Sequence, residues 1–278
     1  MLRQRVITAV VLLALLVAGL AARDPWAFDL LTLVLISAAG WEWARLNGFA
    51  TPLPAWGAGL AVALLCLVSL TRLPAVGDGA WWQAVAAIWV VGGAWALRAG
   101  PTGWARLPSW LRLGLGLLLL WWAWLAIAVA HSVGVNFLMS VLCIVWAADI
   151  AAYFGGRALG RRKLAPSISP GKTWEGVASG ALGVLALALV WTAADGRWSL
   201  GSPSVFQLLQ QRHGLPGLGL ALVGLTALSV VGDLFESLVK RAAGAKDSSQ
   251  LLPGHGGVLD RVDALLPVLP AALALVFW

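Results

Sequence analysis

The chain has 278 residues, of which 60% are hydrophobic and 11% charged, under half the roughly 25% charged residues of a soluble domain. With a mean hydropathy of +0.87 it has too little polar surface to cover itself in water, which excludes a soluble globular protein. The net charge of +7 would suggest a nucleic-acid partner in a soluble chain, but here the basic residues fall between apolar runs, so topology explains them and no nucleic acid is expected.

Apolar runs near the ~20 residues that cross a bilayer recur at about 6–22, 28–46, 53–70, 80–97, 111–131, 133–154, 174–194, 216–235 and 262–278. They predict an all-α integral membrane protein, a polytopic bundle of about nine transmembrane helices in contact with the lipid bilayer. Arg3 and Arg5 precede the first run, which at about 17 residues exceeds the apolar core of a typical secretory signal, so an uncleaved first span is expected. Cys66 and Cys143 lie inside apolar runs without metal-ligand spacing and read as small packing residues. The 18 Trp residues, with doublets at Trp81-Trp82 and Trp121-Trp122, suit interfacial belts or lipid-facing packing.

Placing the N-terminus in the cytoplasm puts fifteen of the 19 basic residues on the inner side. Only Arg23, Arg72, Arg197 and Arg212 fall outside, which fixes the orientation and puts Trp278 outside. The protein is expected to be a multi-pass protein of the cell (inner) membrane with its active site facing the cytoplasm. Residues 1–278 read as one polytopic domain, with an N-terminal helical bundle to about 131 and a catalytic part from about 132. Two cytoplasmic loops, 155–173 and 236–261, are its polar segments.

The 12 acidic residues are unevenly spread. Asp149, Glu175, Asp233, Glu236, Asp247, Asp260 and Asp263 all sit in or beside the spans that flank these loops. A charge at mid-helix costs about 2.5–3.5 kcal/mol on insertion scales, so such groups need a partner or a wet cavity. Ion pairing at helix ends would explain each one singly; their clustering points to a site. If the last helix starts near Leu259, Asp260 and Asp263 share a face. The preceding Pro253-Gly254-His255-Gly256-Gly257 must turn sharply and can offer backbone N–H groups to an anion. Two carboxylates beside a phosphate-sized cradle suit Mg²⁺.

On the eighth span Asp233, Glu236, Ser237, Lys240 and Arg241 recur at steps of three and four and form one polar stripe. Asp233 has no basic residue within four positions, so it needs a metal or a cross-helix partner. Gly171-Lys172-Thr173 is no nucleotide-binding P-loop, because position 166 is Pro where Gly is needed and no strand is expected before it. What remains is a turn stiffened by Pro166 and Pro170 that presents Lys172 and hydroxyls at the start of the seventh helix. Gly155, Gly156 and Gly160 read as small residues for helix packing.

The run Ser237-Leu-Val-Lys240-Arg241, then Lys246-Asp247, then Leu252-Pro253-Gly254-His255-Gly256-Gly257-Val258-Leu259-Asp260-Arg261-Val262-Asp263 resembles the signature of the phosphatidate cytidylyltransferase (CDP-diacylglycerol synthase) family. Asp149, Ala152-Tyr153-Phe154-Gly155-Gly156-Arg157, the segment from Lys163 to Gly176, and Gly232-Asp233-Leu234-Phe235-Glu236 are similar to that family too. The likeness covers about 149–177 and 231–266; upstream it is only that of hydrophobic spans. Ile150-Ala151 departs from the family's Thr-Gly or Thr-Phe.

The resemblance implies that CTP and phosphatidic acid give CDP-diacylglycerol and pyrophosphate in phospholipid biosynthesis, with Mg²⁺, room for a second cation, and a homodimer. It assigns the metal to Asp233, Asp260 and Asp263. Lys172, Lys240, Arg241 and Lys246 would hold phosphates of either substrate, with Ser169, Thr173, Ser237 and Arg261 beside them and Gly256 and Gly257 as the cradle. Asp247 and His255 join the catalytic group, His255 more as loop support than as a base. Asp149, Glu175 and Glu236 would support the ligands. One rival is a CTP-dependent polyprenol or lipid kinase, against which the full 237–263 match argues. A membrane transporter is another, but it predicts charges spread through mid-membrane, and before Asp149 the spans hold almost none, Glu42 being the exception.

Overall fold

The computed structural model describes residues 2–22, 24, 26–70, 79–198 and 201–277. In chain order these form α1 (Leu2–Ala21), α2 (Trp26–Leu46), α3 (Pro52–Leu70), α4 (Gly79–Arg106), α5 (Ser109–Val133), α6 (Val135–Leu159), β1 (Lys163–Ala165), β2 (Ser169–Thr173), α7 (Trp174–Arg197), α8 (Val205–Ala242), α9 (Leu259–Val262) and α10 (Leu265–Val276). Among the described residues seven helices, α2 to α8, are long and apolar enough to cross a membrane, and α1 contributes the shorter apolar stretch Val6–Ala21. The nine expected runs correspond in order to α1–α8 and α10. Of the groups assigned to the outer side, Arg23, Arg72 and Trp278 lie outside the described residues.

Local chemistry sets the helix ends. Ser204 accepts from the Gln207 N–H while the Gln207 side chain returns to the Ser204 N–H, a reciprocal cap that starts α8 eleven residues before the expected apolar run. Two helices continue through kinks rather than ending: α4 at Gly100 (φ 67°) before Pro101, and α8 at Gly214 (φ 67°) before Pro216. Glycine takes this left-handed φ at little cost, and the missing Pro N–H releases the helix bond there.

Between α6 and α7 the chain makes a two-stranded antiparallel hairpin, with Lys163 opposite Thr173 and Ala165 opposite Ser169. The sequence shows no sign of it because both strands are short, lack alternation, and include Pro170, which only an edge strand tolerates.

The helix α10 is the centre of the protein, buried from Leu265 through Ala274. It packs on α4 and α5 as well as on α6 and α8, so it joins helices from both sides of position 131. Phe235 of α8 meets Trp43 of α2 and Trp89 and Trp104 of α4 at ring distances of 5.9, 5.6 and 5.2 Å, geometry in which aromatic pairs add to simple burial. Trp43, Trp82 and Trp124 are fully buried, where the sequence reading has Trp in interfacial belts or packed against lipid. Trp26, Trp56, Trp110 and Trp198 do project outward.

Candidate active site

α6, β2, the start of α7 and α8 enclose a cleft of about 490 Å³. Lys172 of β2 reaches across it to Asp233 of α8, with Nζ 2.5 Å from Oδ2, and Ser237 donates to the other Asp233 oxygen at 3.3 Å. Asp233 therefore has the cross-helix partner that its sequence surroundings demanded. Asp149 of α6 lies within electrostatic reach of both Asp233 and Lys172. Asp263, just after α9, is within reach of all three. Asp149, Asp233 and Asp263 thus share the electrostatic influence of one ammonium, Lys172, and the first two line the cleft.

Ser169 and Thr173 line the same space, and the Thr173 hydroxyl also caps α7 by accepting from the Gly176 N–H at 3.1 Å. Asp149, expected only as a supporting residue, stands on the cleft wall itself. Glu175 turns the other way and accepts from the backbone N–H groups of Arg161 and Arg162 at 3.0 and 3.1 Å, pinning the entry of the hairpin to α7.

The segment before α9 forms a second, separate corner. Lys240 lies between two carboxylates, 2.6 Å from Glu236 Oε2 and 2.5 Å from Asp260 Oδ1, and Glu236 is only 1% exposed. The remaining oxygen of Asp260 accepts from Ser248 N at 2.9 Å, Ser248 Oγ at 2.8 Å and Gly257 N at 2.8 Å. Burial pushes the Asp260 carboxyl up, but the hydrogen bonds from Lys240, Gly257 and Ser248 outweigh it and hold it at about 2. Hydrogen bonds to the charged form have this effect.

Beside it, Glu42 of α2 is 0% exposed and accepts four bonds: from Ser248 Oγ at 3.1 Å, Ser249 Oγ at 2.6 Å, Val258 N at 2.9 Å and Leu259 N at 2.7 Å. From α1, Thr8 donates to the Pro253 carbonyl at 2.8 Å. Arg261 donates to the His255 carbonyl at 2.6 Å, His255 N to the Leu252 carbonyl at 2.8 Å, and the His255 Nδ1 is buried without a hydrogen bond. Arg241 donates to the carbonyls of Ile168 and Ala245, tying hairpin to helix, while Lys246 and Asp247 are exposed beyond it.

Three sequence expectations change here. Of the turn expected to offer N–H groups to an anion, Gly257 donates to the protein's own Asp260, and the next two N–H groups, of Val258 and Leu259, go to Glu42. The polar stripe of α8 divides along its edges: Asp233, with Ser237 bonded to it, faces the cleft, whereas Glu236 and Lys240 face the corner. Lys240 and Asp260 are consumed by each other and by the loop. Asp260, expected on the metal with Asp233 and Asp263, pairs here with Lys240, and among the described residues no three acidic, His or Cys side chains are placed to hold one ion.

Glu42 and Thr8 are the residues that motif reading misses. A signal for Glu42 exists, since it is an acid inside an apolar span and such residues are functional candidates by default; its partners, over two hundred positions away, are what sequence cannot supply. The corner makes a direct prediction. A methyl group on Gly257 would overlap Ser248 Oγ and Glu42 Oε1, so Gly257→Ala is expected to destabilise the protein by about 1–3 kcal/mol, as overpacking does. Thermal unfolding in detergent will read it, and an unchanged midpoint would contradict this packing.

The sequence model of the cytidylyltransferase family matches residues 3–278. The phosphatidate cytidylyltransferase of Pseudomonas aeruginosa is 40% identical over 285 residues, covering 100% of this chain and 97% of that protein. Phosphatidate cytidylyltransferases of Haemophilus influenzae and Bacillus subtilis are 47% and 40% identical over 49% of this chain in each case, covering 44% and 46% of those proteins.

Proposed function

The chain belongs to the cytidylyltransferase family, and on that premise we propose how its cleft carries out the reaction. The enzyme is a nucleotidyltransferase of phospholipid biosynthesis: CTP and phosphatidic acid give CDP-diacylglycerol and pyrophosphate. A phosphate oxygen of the lipid attacks the α-phosphorus of CTP, the new P–O bond forms, and the bond to pyrophosphate breaks. A phosphate monoester is largely ionised at neutral pH, so the nucleophile scarcely needs a base. Positioning and charge neutralisation do most of the work.

The observation that carries this assignment is the Lys172–Asp233 pair across the cleft, with Asp149 on the cleft wall and Asp263 within electrostatic reach. Mg²⁺ takes oxygen ligands and commonly binds through one or two carboxylates with substrate phosphates completing the shell. The donor set here is of that kind. Asp233 and Asp263 would hold the ion, with Asp149 adjoining, and the bound ion would neutralise phosphate charge. Lys172 exchanges its pairing with Asp233 for a phosphate oxygen, and the hydroxyls of Ser169 and Thr173 bond the same group. The cleft faces the cytoplasm, the side on which the positive-inside count puts both loops.

The purified protein in detergent, given labelled CTP, phosphatidic acid and Mg²⁺, is expected to form CDP-lipid and pyrophosphate in equal amounts and to stop when the cation is chelated. Absence of any nucleotide-dependent lipid product from folded protein would overturn the reading. Transfer of the γ-phosphate to a lipid alcohol, with CDP released, would replace it by a kinase.

A further inference from the structure

The cleft has two cationic residues on its walls, Lys172 and Arg157, and only one of them is spoken for. Lys172 is held by Asp233 at 2.5 Å. Arg157 is exposed, and among the described residues its guanidinium has a phenol for a partner rather than a carboxylate: NH1 donates to the Tyr153 hydroxyl at 3.3 Å. Asp149, Tyr153 and Arg157 follow one another at steps of four along α6, so a single helix face carries all three onto the cleft. Arg157 stands at the last turn of that face and Asp149 two turns deeper.

Depth then separates the two substrates. Next to this face, Ile150 and Phe154 of α6 are 59% and 63% exposed on a helix apolar enough to span a bilayer; those side chains meet acyl chains. Tyr153, 60% exposed, has the body-in-lipid, hydroxyl-in-water character of residues that mark the headgroup level. Below Arg157 the cleft wall combines the apolar Ala148, Ala152, Val177 and Val230 with Asp149 and Asp233. A phosphate held at Arg157 would therefore lie beside the outward-facing Tyr153 and Phe154, and only a lipid phosphate has hydrocarbon to lay along them. The nucleotide, polar at both ends, fits the hairpin side, where Ser169 and Lys172 stand.

We infer that Arg157, oriented by the Tyr153 hydroxyl, is the residue that grips the phosphate of the lipid substrate. This rests on the cleft being the reaction site proposed above. Arg suits the task because its planar fork can bind two phosphate oxygens at once and keeps its charge at any working pH. The assignment decides what the sequence left open: which basic residue serves phosphatidic acid and which serves CTP.

The test is calorimetric titration of the full-length protein in detergent with a short-chain phosphatidic acid, without nucleotide, alongside the matched diacylglycerol that lacks the phosphate. Steady-state constants for both substrates are measured on the same preparations. Arg157→Gln is expected to weaken phosphatidic acid binding about 10- to 100-fold, the range for losing a charge-assisted bond. Diacylglycerol partitioning should be unaltered and the KM for CTP should move by less than about twofold. Tyr153→Phe, which removes only the orienting hydroxyl, should weaken binding by roughly threefold to tenfold and serves where the first variant does not fold. Unchanged phosphatidic acid binding in both variants, or a rise in the KM for CTP alone, overturns the inference, as does failure of the parent protein to bind phosphatidic acid. If binding depends on Arg157 but no preparation turns over CTP, the lipid site stands and the reaction assignment falls.

Discussion

Asp263→Ala is expected to lower turnover by about a thousandfold or more, the scale of removing a principal electrostatic contact from a charge-transferring site, with little change in thermal stability. The fold loses almost nothing, because the Asp263 side chain makes one hydrogen bond, to the N–H of its own neighbour Ala264 at 2.7 Å. It also stands among like charges, within reach of Asp233 and Asp149, so its removal relieves repulsion. Asp260→Ala should behave in the opposite way. That carboxylate binds Lys240, Ser248 and Gly257, and losing it leaves the Ser248 and Gly257 N–H groups without their acceptor and Lys240 with Glu236 alone. The two aspartates are three residues apart and look alike in sequence. Steady-state kinetics and unfolding curves measured on both variants separate their roles. Full activity in Asp263→Ala would remove it from the site.

The second large effect belongs to Glu42. Glu42→Ala leaves two hydroxyls and two backbone N–H groups of the 248–259 segment without their acceptor in a buried place. A buried donor left without its acceptor costs about 1–3 kcal/mol, and four such donors weigh heavily against a total stability that for most domains is about 5–15 kcal/mol. Glu42→Gln should fall between the parent and alanine, since its one carbonyl oxygen still accepts while its NH₂ group confronts donors. Thermal unfolding in detergent, together with hydrogen exchange at the amides of Val258 and Leu259, measures the effect. If the alanine variant unfolds at the parent temperature with those amides still protected, Glu42 does not hold the segment.

Much of the architecture was legible, because hydropathy of a span is a property of consecutive residues. The nine runs fall on the nine main helices for that reason, and the start of α9 at Leu259 follows from the turn chemistry before it. The site was legible in composition more than in arrangement. That Asp233 needs a distant partner follows from the absence of a local one, and Lys172 is that partner. Which edge of the α8 stripe faces which neighbour does not follow, because Asp233 and Glu236 are 60° apart on a helix and only packing decides between them. The destination of the Gly257, Val258 and Leu259 N–H groups was equally hidden. A sequence shows that such groups are free to bind an anion, but not that Glu42 and Asp260 already supply it.

The reach of Glu42 also bears on time. Its first partner, Ser248, follows it by 206 positions and its last, Leu259, by 217. At about 5–20 residues per second of synthesis, the donors arrive roughly ten to forty seconds after the acceptor. α2 is made long before its partner segment, yet the seat for its carboxylate does not exist until α8 and the segment after it have been made. The order in which this enzyme is built is therefore not the order in which it is finished: the second helix is locked by the ninth.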